Sequence, residues 1–505
     1  MSGIVLSVMR GLTCLAAAAS IGSAALASEP LMVDSANPHY LIFRGKPTIL
    51  IGASEHYGSV MNRSFNYVRY LDTISSLHLN ATRVFSGQYR ERPGKFGLSF
   101  GKLKIPDFEI VENTLAPVAD EYIAPWQRSN QPGEGDGGNK FDLSKWNPAY
   151  FARLVDFVHQ ASDRGIVVEV SLFSPYYHLF VGNHFWEISP LNIRNNINGV
   201  GSATADAALS LKDNPPLAIE DALVRKIVRS LQSFDNVYYE ICNEPWTVYV
   251  PNDWQAHIAG VIADADRQSP HIIAQEYGLD LRSGKVQKIE DPVPHASVFL
   301  FHAPPQAIQL NYPIDKPLGV NETGGGIADA PYRIQAWQSL LSGAAAFIGL
   351  DYSFTAGHED GSLVLKPGQP GGGSPALRRE LGVLRAFMNG MKFTKMRPIP
   401  SIISAGLPKN ATATTLAQAG SVYAIYLNQQ VLPSALGHEP VMDSRPYKAT
   451  LTLDMPSGSY LARWIDTKTG VVAREKAFTV KAGKATLNSP EYVNDIALRI
   501  SRVMK

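Results

Sequence analysis

The feature that most constrains the fold of this chain is a series of eight short apolar runs between residues 48 and 353. Most of them are continuous apolar stretches rather than strict apolar–polar alternations, which is typical of parallel strands covered on both faces. The runs are "TILIGAS" (48–54), "NATRVFS" (80–86), "IVVEVSLF" (166–173), "NVYYEIC" (236–242), "HIIAQEY" (271–277), "SVFLFH" (297–302), "KPLGVNE" (316–322) and "AAFIGLDYS" (345–353).

Segments with helical periodicity separate most of these runs, for example "NPAYFARLVDFVHQASDRG" before the third and "PLAIEDALVRKIVRSLQSF" before the fourth. Only a brief helix fits between the sixth and seventh. Eight β–α units in alternation predict an α/β protein with a closed (β/α)₈ TIM barrel. A doubly wound open sheet is the alternative, but no Gly-rich dinucleotide turn follows the first run.

The pattern changes near residue 400, where segments such as "SVYAIYLN" and "DIALRIS" alternate with period two between turn residues. Such a series predicts a small C-terminal antiparallel β-sandwich. We therefore expect a catalytic barrel over residues 28–398 and a β-sandwich domain over residues 399–505. The sandwich is expected to cover one flank of the barrel, with a carbohydrate-binding module as the alternative role.

The first 27 residues are typical of an export signal. Arg10 precedes the apolar, Ala-rich "GLTCLAAAASIGSAALA", which ends in an A-x-A site at Ala27. A membrane anchor and a lipoprotein modified at Cys14 fit less well. We expect a signal peptide over residues 1–27, cleavage near Ala27, a mature chain without a membrane span, and a periplasmic or extracellular location.

Composition excludes several classes of function. The net charge is +1, so no surface for nucleic acid is expected. After cleavage Cys242 is the single cysteine, and no Cys/His spacing indicates a metal site. No cofactor and no metal are expected, and the oligomeric state is left open.

Two carboxylates end predicted strands. Glu244, in "YYEICNEPW" (238–246), ends the fourth strand, and Glu322, in "KPLGVNETGG", ends the seventh. We expect Pro245 to keep Glu244 extended and so aim its carboxylate over the barrel mouth. Two carboxyl groups on opposite sides of one mouth are what glycoside cleavage requires.

These residues resemble those of the clan of retaining β-glycosidases with (β/α)₈ barrels that includes the cellulase-like family 5 enzymes. In that clan an Asn-Glu pair ends the fourth strand and a Glu ends the seventh, matching Asn243, Glu244 and Glu322. An Arg on the second strand is matched by Arg83, and a His on the sixth by His302. The resemblance covers roughly residues 38–395.

The resemblance implies that Glu322 is the nucleophile and Glu244 the general acid/base, with carbohydrate as the substrate. Glu322 must be ionised to attack, and Arg83 is the candidate positive neighbour. Glu244 must start protonated, so we expect its pKa to be raised by a less polar setting and nearby negative charge. Asn243 is expected to bond the sugar 2-hydroxyl.

Two positions depart from the pattern of the clan. A His-x-Tyr sequence is common on the sixth strand, but position 304 is Pro, so the Tyr that supports the nucleophile must come from elsewhere or His302 must replace it. A Trp is common at the end of the eighth strand, where this chain offers Tyr352 and Phe354.

Further candidates follow from position along the chain. We expect His56, Tyr57, Tyr277, Trp246 and Tyr352 to contact substrate near the mouth. Trp126 and Trp186, on long loops, are either subsite walls or loop anchors. Glu240, four residues before Glu244, is expected to be an interior carboxylate paired with a cation such as Arg83.

The sequence thus predicts an exported glycoside hydrolase that cleaves β-glycosidic bonds with retention. A transglycosylase with the same residues is one alternative, and a non-catalytic glycan-binding protein on a decayed barrel is another. The sugar, the linkage and the endo or exo mode stay open.

Overall fold

The structure is a computed structural model that describes residues 29–100, 103–110, 113–302, 305–324, 326–366, 371–431 and 442–503. The predicted signal peptide over residues 1–27 lies outside the described residues, as does Pro304. A search of the described residues for a helix with the length and hydropathy of a membrane span finds none.

The predicted barrel is confirmed. Eight parallel strands close in the order of the chain, with the eighth strand pairing with the first. In sequence order they are Leu50–Ser54, Ala81–Phe85, Val167–Phe173, Val237–Cys242, Ile273–Tyr277, Val298–Phe301, Leu318–Val320 and Ala346–Leu350. Every predicted run contains one of these strands, and all but one of their residues are buried. Burial on both faces explains why the runs are continuously apolar.

Helices form the outer layer. Those between and after the strands are Tyr67–Ser76, Pro148–Asp163, Leu217–Leu231, Asn252–Ala265, Gln306–Asn311, Asp329–Leu341 and Pro375–Asn389. Leu217–Leu231 illustrates the packing, since Leu223, Ile227 and Leu231 are spaced by four residues and are buried on one face. Gln306–Asn311, between the sixth and seventh strands, is brief as predicted.

The loops at the carboxyl ends of the strands carry most of the remaining structure. The loop after the second strand holds two hairpins, Gly94–Phe100 with Leu103–Ile110 and Trp126–Pro132 with Asn139–Trp146. The loop after the third strand begins with a short helix, His178–Val181. A smaller hairpin pairs Leu279–Asp280 with Lys285–Val286. Short 3₁₀ turns lie at Ala119–Glu121, Trp186–Ile188, Ala205–Ala207, Pro245–Thr247, Tyr312–Ile314, Phe393–Lys395 and Pro400–Ile402.

Antiparallel sheets flank the barrel at both ends of the described chain. Before the first strand, Met32–Val33, Leu41–Phe43 and Lys46–Thr48 form a three-stranded sheet. After the last helix, two sheets form the predicted sandwich. The larger has the order Arg397–Pro398, Ala411–Gln418, Val422–Gln429, Asp495–Arg502, Gly458–Ile465, Val472–Val480, and the smaller the order Ile403–Ala405, Thr450–Asp454, Lys484–Asn488.

The larger sheet of the sandwich packs on the barrel helix Asp329–Leu341. The ring of Trp337 stacks on Tyr426, with 5.3 Å between centroids. Arg333 on the same helix pairs with the buried Asp495 at 2.7 Å. A buried ion pair and a stacked aromatic pair thus join the two units, and the C-terminal domain covers a flank of the barrel.

Candidate active site

The centre of the barrel holds a buried cluster of charge around Arg83, which is fully buried. Its Nη2 lies 2.5 Å from Glu240 and 3.4 Å from Glu276, and its Nε lies 2.7 Å from Glu169. The pairing predicted for Glu240 is therefore confirmed. Such a concentration of buried charge is tolerable because each carboxylate has the guanidinium or another hydrogen-bonding group as partner.

Glu244 follows the fourth strand in a left-handed backbone conformation, with φ 42° and ψ 46°. The prediction that Pro245 keeps this residue extended is wrong. Pro245 opens a 3₁₀ turn, and the backbone N–H of Glu244 donates to Oε2 of Glu276 at 3.0 Å. These contacts select a conformation that costs roughly 1–3 kcal/mol for a non-glycine residue.

The Glu244 carboxylate accepts a hydrogen bond from the Tyr177 hydroxyl at 2.8 Å and lies 3.3 Å from Nδ1 of His302. Burial acts to raise the pKa of Glu244, but the hydrogen bond and charge of His302 outweigh it, and the pKa is lowered. The expected rise in this pKa is thus wrong, because the cationic partner His302 outweighs the effect of burial.

Glu322 follows the seventh strand and faces Glu244 across the mouth. Its Oε2 accepts a hydrogen bond of 2.6 Å from the hydroxyl of Tyr57. The same oxygen lies 3.7 Å from Nη1 of Arg83 and 3.8 Å from Nε2 of His302. Tyr57 therefore supplies the supporting hydroxyl that the sixth strand lacks. A donor and two cationic groups around one oxygen hold this carboxylate in place.

His302 lies between the two carboxylates. Its Nδ1 faces Glu244, and its Nε2 lies 2.6 Å from Oε1 of Glu276. Burial acts to lower the pKa of His302, but Glu276, Glu322 and Glu244 together raise it well above its ordinary value. The imidazole is therefore held in its protonated form.

Asn243 is nearly fully buried beside Glu244. Its Oδ1 accepts from Arg83 at 2.9 Å, and its Nδ2 donates to Tyr177 at 2.8 Å and to Ser174 at 3.2 Å. Both amide hydrogens are thus engaged, so a sugar hydroxyl would have to replace one of these contacts.

The geometry of the site brings both carboxylates within reach of one bond. One oxygen of Glu244, one oxygen of Glu322 and a ring nitrogen of His302 all lie within 4.8 Å of one another. A pocket of about 190 Å³ opens above them. This volume is below the ~300–1,000 Å³ of sites for drug-sized ligands, and it suits a small ring.

Two predicted contact residues line this pocket beside Tyr57. The rings of His56 and Tyr352 are 4.7 Å apart, and both residues face the cavity. Burial lowers the pKa of His56 to about 3, so its imidazole is neutral. A neutral imidazole and a phenol offer hydrogen bonds and an apolar ring surface to a sugar.

Trp246 and Tyr277 are not brought to the pocket. Trp246 is buried against Gly278, so closely that a Cβ added to this glycine would lie 2.1 Å from the indole. The ring centroids of Trp246 and His302 are 5.6 Å apart. Tyr277 donates to Gln275 at 3.0 Å. Because Glu276 faces the barrel interior, Tyr277 and Gln275 face outward. Direct contact with substrate at the described mouth is therefore not supported for Tyr277.

The two tryptophans of the long loops are anchors. Trp126 stacks on Trp146 with 6.2 Å between centroids, and Trp186 donates to the carbonyl of Ser202 at 3.2 Å. Both side chains are fully buried. They stabilise the loops rather than wall a subsite.

Three residues of the site were missed by the sequence reasoning: Tyr177, Glu276 and Glu91. Glu276 carried a signal, because a charged residue inside an apolar strand points to the barrel interior or to a site. Tyr177 and Glu91 lie on long loops whose positions no spacing predicts. Burial raises the pKa of Glu91, which lines the pocket, to about 8.

Glu244, His302 and Glu322 form the one group of three potential metal ligands found close together in the described ranges. A protonated imidazole is not a ligand, since metal binding requires its neutral form. Coordination of a cation at this group would therefore require His302 to lose its proton.

The fourth and seventh strands of this barrel thus end in carboxylates that face each other across its mouth. Solved structures share this fold. One is a "Glycoside hydrolase" with a TM-score of 0.57 and 14% identity, covering 94% of this chain and 97% of that chain. Another is a family 5 glycoside hydrolase from Bacteroides vulgatus, with a TM-score of 0.56 and 12% identity, covering 94% and 93%.

A third structure, from the same organism and with a proposed glycoside hydrolase assignment, has a TM-score of 0.60 and 14% identity, covering 94% of this chain and 83% of that chain. A scan against protein-family models and a search of curated proteins find no match. The chain therefore has the fold of family 5 glycoside hydrolase structures, and the similarity extends over its C-terminal portion. At 12–14% sequence identity these comparisons establish the fold alone.

Replacing Tyr57 by phenylalanine tests the support of Glu322. The variant keeps the ring, which stacks on Phe85 at 4.9 Å, and removes the donor to Oε2. We expect kcat/KM for a glycoside substrate to fall about 10–100-fold, since a hydrogen bond to a charged group is worth about 1.5–3 kcal/mol. The thermal midpoint should change little. Unchanged kinetics would contradict the supporting role.

Proposed function

We propose that this protein is a glycoside hydrolase that cleaves β-glycosidic bonds of an oligo- or polysaccharide with retention of configuration. The observation that carries the proposal is the approach of Glu244 and Glu322 to within 4.8 Å across the pocket. Retaining enzymes hold their two carboxyl groups about 5–5.5 Å apart, whereas inverting enzymes need about 6.5–9.5 Å to admit a water.

In the first step an oxygen of Glu322 attacks the anomeric carbon. The bond from that carbon to the leaving oxygen breaks, and Glu244 transfers a proton to the leaving oxygen. The hydrogen bond from Tyr57 to Oε2 and the nearby Arg83 orient Glu322 for this attack. A glycosyl ester on Glu322 results.

In the second step Glu244 is the base. It takes a proton from water, the water oxygen bonds to the anomeric carbon, and the ester bond to Glu322 breaks. Two displacements at one carbon restore the original configuration. Tyr177, which donates to Glu244 at 2.8 Å, fixes the carboxylate in both steps.

The location is part of the same proposal. Residues 1–27 carry the charge, apolar segment and A-x-A site of an export signal. An exported enzyme would meet polymeric glycans outside the cytoplasm. Amino-terminal sequencing of the protein recovered from the periplasm or medium tests this, with a new terminus near Ser28 as the expected result.

The stereochemical test uses an aryl β-glycoside that a substrate screen has shown to be cleaved. Proton NMR during the first minutes should show the β-anomer of the released sugar, followed by slow mutarotation to the equilibrium mixture of both anomers. Initial release of the α-anomer would contradict Glu322 as nucleophile. Binding of oligosaccharide without turnover of any glycan would contradict hydrolysis itself.

A further inference from the structure

Glu276, on the fifth strand, contacts two parts of the catalytic apparatus at once. Its Oε2 accepts the backbone N–H of Glu244 at 3.0 Å, and its Oε1 lies 2.6 Å from Nε2 of His302. The residue is 2% exposed. Glu276 does not reach the pocket itself, so any effect on the reaction passes through Glu244 and His302.

The charged groups around His302 come from four elements besides its own strand. Glu276 faces Nε2, and Glu244 faces Nδ1. Glu322 lies 3.8 Å from Nε2, and Nη1 of Arg83 lies 3.4 Å from the same nitrogen. Three carboxylates against one guanidinium favour an imidazolium at this place.

Glu276 has its own charged neighbours. Arg83 lies 3.4 Å from Oε2. Burial and then the charge of Glu240 raise the pKa of Glu276. Glu276 and His302 therefore form a buried, coupled pair, and the proton at their 2.6 Å contact belongs to both residues.

The proposed acid step requires a proton that Glu244 does not hold by itself. The pKa of Glu244 is lowered by His302, so the resting carboxylate is ionised. Two donors face the Glu244 carboxylate: the hydroxyl of Tyr177, 2.8 Å from Oε2, and Nδ1 of His302, 3.3 Å from Oε1. Of the two, an imidazolium at the His302 contact is the stronger acid. A proton shared along this contact would make the acid form available without a raised pKa at Glu244.

We propose that Glu276 is a positioning residue that holds His302 as the proton partner of Glu244 and fixes the Glu244 backbone. This inference rests on the proposed function and assigns the source of the catalytic proton. In the first step the proton moves from Nδ1 of His302 to Glu244 and from Glu244 to the leaving oxygen. His302 is then neutral with its hydrogen on Nε2, facing Glu276.

The second step returns the proton. Water gives a proton to Glu244 as its oxygen bonds to the anomeric carbon, and that proton passes back to Nδ1 of His302. In each cycle His302 gives one proton to the leaving group and regains one from water, so the protons balance without a further reactant.

Replacing Glu276 by glutamine keeps the volume and an acceptor but cannot balance the imidazolium. The pKa of His302 should fall, so the alkaline limb of the kcat/KM profile should move to lower pH. An opposite charge at this distance shifts a pKa by about 1–3 units, and we expect a shift of about one pH unit or more. An alkaline limb that does not move would overturn the proposal.

Glu169→Gln is the matched control. Glu169 is equally buried and pairs with the same Arg83, but its other contacts are Tyr238 and Asn321 rather than His302. Its alkaline limb should stay in place. Glu276→Asp should also leave the alkaline limb in place, because the negative charge near His302 is kept. Its kcat should fall, because the shorter carboxylate no longer reaches both His302 and the Glu244 N–H. Thermal melts of all three variants establish that they are folded.

A measurement without turnover separates this proposal from the proposed function. NMR of protein labelled at the histidine ring nitrogens reports the protonation of His302, with its signal assigned by its loss in His302→Asn. The imidazolium should persist above the ordinary titration range of histidine in the wild type and titrate lower in Glu276→Gln. If no glycoside is cleaved yet this titration holds, the function fails and the pairing stands; identical titrations would overturn the pairing.

Discussion

Replacing Glu322 by alanine is expected to reduce kcat for a β-glycoside by about 10⁴-fold or more, since loss of a nucleophile removes the covalent route altogether. The carboxylate is fixed by Tyr57 at 2.6 Å and is partly exposed to the pocket. Its removal leaves a cavity that faces the anomeric carbon. The folded state should persist, because the side chain lines the pocket and lies outside the buried core.

Azide offers a second readout for this variant. A small anion can occupy the space vacated in Glu322→Ala and attack an aryl β-glycoside from the side opposite the leaving group. The expected product is the α-glycosyl azide, identified by NMR. In Glu322→Gln the amide fills the cavity, so no rescue is expected.

Glu91→Gln is a useful control in the same pocket. Glu91 is a third carboxylate that lines the cavity, 4.0 Å from His56, but it lies on the loop after the second strand. Azide should form no α-product with this variant. If azide rescued Glu91→Gln instead of Glu322→Ala, or if Glu322→Ala kept full turnover, the assignment of the nucleophile would be wrong.

The barrel was predictable because burial on both faces leaves a signature within each strand. "IVVEVSLF" is apolar except where Glu169 and Ser171 point inward, and the structure confirms a strand over Val167–Phe173. The two facing carboxylates could be placed for the same reason. A strand end in a barrel fixes where the next residue lies, so Glu244 and Glu322 could be placed at one mouth.

Contacts between distant segments were harder to predict from the sequence. Tyr57 and Glu322 are 265 positions apart, and their hydrogen bond depends on the loop after the first strand, where Tyr57 has φ 57°. Local sequence does not fix that loop. Tyr277 was misplaced for a simpler reason: period two sends Glu276 inward and its neighbour outward.

The backbone and charge state of Glu244 were both wrongly predicted, and the errors have one origin. A proline after Glu244 disfavours the right-handed helical region but does not exclude the left-handed one. The choice is made by Glu276, whose carboxylate accepts the Glu244 N–H and also stabilises the charge on His302. The local sequence Asn243-Glu244-Pro245 thus does not determine the backbone conformation and charge state of Glu244; the buried Glu276 on another strand does.

Replacing Glu244 by alanine should make the rate depend strongly on the leaving group. For a glycoside with an alcohol leaving group, kcat/KM should fall about 10²–10⁴-fold, because the departing oxygen receives no proton. For a dinitrophenyl glycoside, whose leaving group needs no proton, the first step should be nearly unchanged. Steady-state and burst kinetics on the two substrates measure the difference.

The same variant should accumulate the ester on Glu322, because water then lacks its base. Mass spectrometry of the quenched protein should show one added glycosyl group, and azide should release it as the β-glycosyl azide. Glu244→Gln has the same loss of proton transfer but no space for azide, so rescue should be absent. Equal losses on both substrates, without an accumulated ester, would mean that Glu244 only positions the substrate. The direction of proton transfer, and with it the separate roles of the two carboxylates, is therefore decided by this comparison.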